Sequence, residues 1–221
     1  MKKITLIISM LFTLIISAQN GPEIWMSYEL KPKKGMEDKF IQAAAKKMKK
    51  YNSTAENAMF TFEIMDGENQ GMYSRVVGWK DWSYMNSQED RSEELKYWKD
   101  NVDPFIEEST GWKVWRRLVG ISHNWTPTTT FKYMLVQRRF IKPGHDQAVV
   151  HFLQRAKMVY EKHNYTGITG IFRVISGGNT NEYIICDGFN EYGVGGEFPD
   201  TEKNMEELYN EMFGWEAYRK D

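Results

Sequence analysis

Residues 24 to 31 alternate, with Met26, Tyr28 and Leu30 on one side and Trp25, Ser27 and Glu29 on the other. This two-residue period predicts a strand. Pro32 and Gly35 then punctuate a turn. Beyond it Met36, Phe40, Ala43, Ala44, Met48 and Tyr51 recur at helical spacing with lysines opposite, the pattern of an amphipathic helix that covers something. Strands are predicted over 57–65 and 72–80, joined as a hairpin by the turn-rich "DGENQG". The charged stretch "SQEDRSEELKYWKDNV" predicts a helix that Pro104 kinks or ends, and "WKVWRRLVGI" supplies a fourth strand.

The same order returns further along the chain. With Gly35 set on Gly144, "MSYELKPKKGMEDKF" meets "LVQRRFIKPGHDQAV", "FTFEIMDG" meets "GIFRVISG", and "YSRVVGW" meets "YIICDGF", with Gly78-Trp79 on Gly188-Phe189. "GWKVW" near the end of the first half corresponds to "GWEAY" near the end of the second. Four stations in one order predict an internal repeat. The second copy then has a strand over 131–142 and a helix over 145–163, with Ala148, Phe152, Ala156, Val159 and Tyr160 on one face. Hairpin strands over 168–175 and 182–189, a helix over 201–213 and a short final strand complete it, and "EYGVGGEFPD" is a Gly-rich loop without a counterpart in the first half. The expected organisation is a signal peptide at 1–18, a first repeat at 19–121, a linker at 122–130 and a second repeat at 131–221.

Strand, helix, strand, strand, helix, strand is the ferredoxin-like plan, an α+β architecture whose helices cover one face of an antiparallel sheet. Two tandem copies can cover each other's bare faces, so an intrachain pseudo-dimeric α/β barrel is expected. "YELKPKKGMEDKF" and "RRFIKPGHDQAVV" resemble the first strand, KPG turn and first helix of the dimeric α/β-barrel superfamily. That group includes antibiotic-biosynthesis monooxygenases, haem-degrading monooxygenases, chlorite dismutase-like proteins and NIPSNAP-type proteins. The resemblance spans nearly the whole chain after residue 18 and implies a ligand cavity in each half, between sheet and helices. A KPG turn marks a fold and specifies no reaction.

The N-terminus changes the picture of where the protein works. Lys2 and Lys3 precede an apolar run from Ile4 to Ile16, and Ser17 and Ala18 offer a cleavage point. This pattern predicts export, periplasmic or secreted, with an uncleaved anchor as the alternative. The run is shorter than the roughly 20 apolar residues of an ordinary membrane span, so no stable membrane insertion is expected after cleavage. The formal charge is -1, or -3 without residues 1–18, which argues against nucleic acid as a partner. Cys186 is the sole cysteine and excludes an intrachain disulfide. The expected partner is a small molecule, and the expected state is a monomer acting as its own pseudo-dimer, or a higher homo-oligomer.

Candidate chemistry is sparse. Glu63 and Arg75 flank the first hairpin turn, and Arg173 and Asp187 are read as their sign-swapped counterparts. Each set is either a charged cavity wall or a cross-strand ion pair. Trp79 and Phe189 follow glycines at strand ends, where a cavity mouth can lie, and Tyr28 joins the aromatic candidates, which otherwise read as core. The ligand-binding set is therefore Tyr28, Glu63, Arg75, Trp79, Arg173, Asp187 and Phe189. No metal-binding spacing is present, and no cofactor is expected. The resemblance leaves haem open as an alternative, with His163, or else His151, as its axial ligand. Three functions remain: binding of a small apolar or aromatic ligand, cofactor-independent or haem-handling oxygenation, and a structural or interaction module.

Overall fold

The computed structural model describes residues 22–54, 57–86 and 91–221. The expected signal peptide lies outside them. Strand β1 (Ile24–Pro32) runs into helix α1 (Glu37–Tyr51) through a turn in which Gly35 adopts a positive φ of 76°. Helix α1 has Glu37 and Asp38 in its first turn and Lys49 and Lys50 in its last, each complementing the helix dipole. Strands β2 (Phe60–Glu63) and β3 (Tyr73–Lys80) form the hairpin, followed by α2 (Trp82–Asn86) and α3 (Ser92–Asn101). Two short strands complete the first half, β4 (Ile106–Ser109) and β5 (Lys113–Arg117).

The second half opens with β6 (Tyr133–Phe140), and Gly144, with φ of 86°, makes the equivalent turn into α4 (Asp146–Lys162). Strands β7 (Ile168–Ser176) and β8 (Glu182–Phe189) follow, then α5 (Met205–Phe213) and α6 (Ala217–Lys220). Asn204 caps α5 in a reciprocal box with Glu207.

The strands form one antiparallel sheet in the order β2-β3-β1-β5-β7-β8-β6, with β4 paired to β1 off this path. The expectation of two separate sheets held face to face needs correction. Strand β5 pairs with β1 on one side and with β7 on the other, so backbone hydrogen bonds join the halves edge to edge. The second half contributes three strands. Its expected final strand is replaced by a turn and α6, because Gly214 and Glu216 take positive φ values of 111° and 56° that interrupt extended backbone. Asp221 then accepts hydrogen bonds from Tyr209 and Arg155, fixing the tail against α4 and α5. Strand β4 was not expected from the sequence, and the 122–130 linker is not a loose tether, since Trp125 enters the core.

The sheet curls into a half-barrel. Its concave side holds Trp25, Trp115, Trp125, Phe172, Val174 and Cys186, with Trp79 and Phe131 packed against them. The repeated glycines now have a physical reason. A Cβ at Gly188 would meet Phe131 Cδ1 at 2.7 Å, and one at Gly78 would enter the Trp25 ring. On the other side, α1 packs through Phe40 and Ala44 on Leu30 and Tyr73, and α4 packs through Leu153 on Ile121 and Ile171. No helix among the described residues is long and apolar enough to cross a membrane.

Candidate functional site

The helix-covered side of the sheet differs between the halves. In the first half it buries Arg75. Strand β3 turns Tyr73, Arg75 and Val77 toward the helices, and the β1 register sets Tyr28 opposite Arg75. Arg75 is fully buried, its guanidinium 4.2 Å from the Trp98 ring centroid and 6.0 Å from that of Tyr28. Nη2 reaches Met48 Sδ at 3.3 Å, whereas Nε and Nη1 have no hydrogen-bond partner among the described residues. Burial pushes the Tyr28 hydroxyl's pKa up, against the pull of Arg75, and burial lowers that of Arg75 itself.

Beside Arg75 lies a second buried cation. Lys47, 3% exposed, donates to Glu94 and to Asn52, and Arg91 Nε donates to Glu94 at 2.7 Å. Burial alone would raise the Glu94 carboxyl, but the hydrogen bonds from Arg91 and Lys47 outweigh it and hold the pKa at about 2. Lys47 is pulled down by burial more than Glu94 draws it up. Two cations, Lys47 and Arg91, therefore share this carboxylate.

Where α4 meets β5 and β7 lies a groove of about 650 Å3. Its floor comes from β5 and β7 and its wall from the first turns of α4; Arg116, Arg173, Asp146, His151, Val150 and Leu118 are among its lining residues. Arg116 and Arg173 are direct cross-strand partners. Arg173 Nη2 lies 3.1 Å from Asp146 Oδ1, which also accepts the Tyr183 hydroxyl at 2.9 Å. The volume falls within the roughly 300–1,000 Å3 typical of small-molecule sites.

Of the residues named from the sequence, the structure brings Tyr28 and Arg75 together and places Arg173 in the groove. Glu63 is exposed and faces Tyr73, not Arg75, whose partner on β2 is Thr61. Counting back from Gly78 and Gly188, Arg75 matches Ile185 and Asp187 matches Val77, so the sign-swapped hairpin pairs do not form. Asp187 instead faces Thr169, whose hydroxyl it accepts at 2.8 Å, and burial raises its pKa. Trp79 lies against Trp25 in the concave core with ring centroids 4.4 Å apart. Phe189 stacks on Tyr133 at 5.8 Å.

His163 caps the C-terminal end of α4, edge-on to Phe198 at 6.4 Å, and it is His151 that borders the groove. Among the described residues no group of three His, Cys, Asp or Glu side chains could hold a metal ion. Arg116 was missed by sequence reasoning. It sits within "WKVWRR" as a charge in a predicted strand, but its meaning depends on the β5–β7 register, which pairs segments from different halves.

No family model and no curated protein matches the chain. Solved structures do. A proposed monooxygenase from Fusobacterium nucleatum superposes with a TM-score of 0.55 at 11% identity, covering 79% of this chain and 78% of its own. A proposed monooxygenase from Lactobacillus acidophilus gives 0.56 at 12% identity, covering 86% of each chain. At these identities the likeness concerns the fold: an α+β protein with a curled antiparallel sheet.

Proposed function

We propose that the chain binds a small molecule in the groove between α4 and the β5–β7 strands, as a pseudo-dimeric α/β-barrel protein built from two ferredoxin-like repeats. One observation carries the reading: a groove of about 650 Å3 lies where α4 meets β5 and β7. The Lys-Pro-to-Gly turns and the β2-β3-β1-β5 and β7-β8-β6 orders support the repeat, with the fourth strand of the second copy lost and β5 pairing with β7. Export is part of the proposal and rests on residues 2 to 18. Native mass spectrometry of the purified protein, followed by a screen of small aromatic and aliphatic compounds, tests the binding reading. A bound species displaced by Val150→Trp, which fills the groove, is expected. Binding unaffected by that substitution contradicts it.

The proposed activity of the structural neighbours supports a second reading, oxygenation of the bound molecule without a metal or with haem. His151 is the imidazole at the groove that haem would use. Oxygen consumption with a bound aromatic compound tests the first form. A haem titration with no Soret shift, or with one that His151→Ala leaves intact, rejects the second.

A further inference from the structure

The floor of the groove holds an arrangement that folding alone does not favour. Arg116 and Arg173 stand directly opposite each other across β5 and β7 and both line the open space. Like charges in that position repel. A sheet can relieve this with carboxylates, but among the described residues Asp146 is the only acidic residue lining the groove, and its Oδ1 already serves Arg173 and Tyr183. Arg116 forms no ion pair among the described residues. His151 adds a further ring nitrogen at the wall, while Leu118 and Val150 give it an apolar side. The lining thus joins an excess of fixed positive charge to a surface that suits a hydrocarbon body.

We propose that the ligand of this groove is a small organic anion, with its acidic head between Arg116 and Arg173 and its apolar body along Leu118 and Val150. This rests on the groove being the binding site and adds the charge of what enters it. A planar guanidinium pair matches carboxylate and phosphate oxygens alike. Both chemistries satisfy the site, and the experiment separates them.

Isothermal titration of the whole protein with 3-phenylpropionate, phenyl phosphate and the neutral 3-phenylpropanamide is the test. At least one anion is expected to bind about tenfold or more tightly than the amide, the scale of a charge-assisted hydrogen bond. Arg116→Gln is expected to remove about that factor for the anion and leave the amide unchanged. Arg116 is exposed, so the variant is expected to keep the native melting temperature. The stronger anion identifies the head group as carboxylate or phosphate. Equal affinity for amide and anions overturns the charge assignment and leaves the groove as a binding site. Unchanged anion affinity in Arg116→Gln, or no binding of any of the three probes at millimolar concentration, also overturns it, while the mass-spectrometric screen judges the groove separately.

Discussion

Phe62 and Phe131, next to the two outer edges of the strand order, stack with ring centroids 6.5 Å apart and planes inclined by 12°. Phe62 belongs to β2 and Phe131 lies just before β6, the two strands that end the sheet. The strand path does not join them, so side chains bring these margins of the curled sheet together. Phe131 also packs on Trp125 at 5.3 Å and covers Gly188. Phe131→Ala is expected to cost about 2–3 kcal/mol, less than a fully enclosed ring because Phe131 is only partly buried. Urea denaturation measures it, and a loss below about 0.5 kcal/mol would mean that the margins are held by something else.

Glu94 is expected to make the first half acid-sensitive. Its folded pKa of about 2 lies below its ordinary 4.5, so its stabilisation is complete above about 4.5 and is lost as pH falls toward 2. Glu94→Gln leaves Lys47 buried without its counter-charge and is expected to cost about 2–3 kcal/mol at pH 7. The gap between variant and native midpoints should narrow across pH 4.5 to 2. A gap independent of pH would show that Glu94 contributes shape instead of charge.

Arg75 makes the opposite expectation. Among the described residues two of its nitrogens are buried without acceptors, Lys47 lies nearby, and burial outweighs the pull of Tyr28 on its charge, so its desolvation is expected to exceed what Trp98 and Tyr28 return. Arg75→Met keeps the contact with Trp98 apolar and is expected to raise stability by about 1 kcal/mol in the same denaturation experiment. A loss of more than about 2 kcal/mol would reveal an interaction that anchors the charge.

Cys186 is buried in the concave core, and burial drives its thiol's pKa far up. It is expected to stay unmodified by iodoacetamide in the native protein and to react fully in guanidinium chloride, which makes it a reporter of opening. Rapid labelling without denaturant would place an opening motion at β8.

Much of the framework could be read from side-chain periodicity. Met26, Tyr28 and Leu30 mark the helix side of β1 as their alternation implied, and the KPKKG and KPG turns open α1 and α4 alike. Periodicity carries no information on which distant strand will be the neighbour. The β5–β7 pairing, and with it the meeting of Arg116 and Arg173, follows from long-range register and was therefore out of reach. A slip of two residues in assigning hairpin partners likewise separated Glu63 from Arg75. The end of the chain misled because "GWEAY" repeats the residue types of "GWKVW" while Gly214 and Glu216 adopt a backbone incompatible with a strand.

The groove is tested most directly by residue-resolved NMR on the labelled protein during titration with 3-phenylpropionate. Saturable shifts gathered at Arg116, His151, Val150 and Arg173 are the expected result. Shifts clustered in the first half around Trp98, or scattered without saturation, would contradict it.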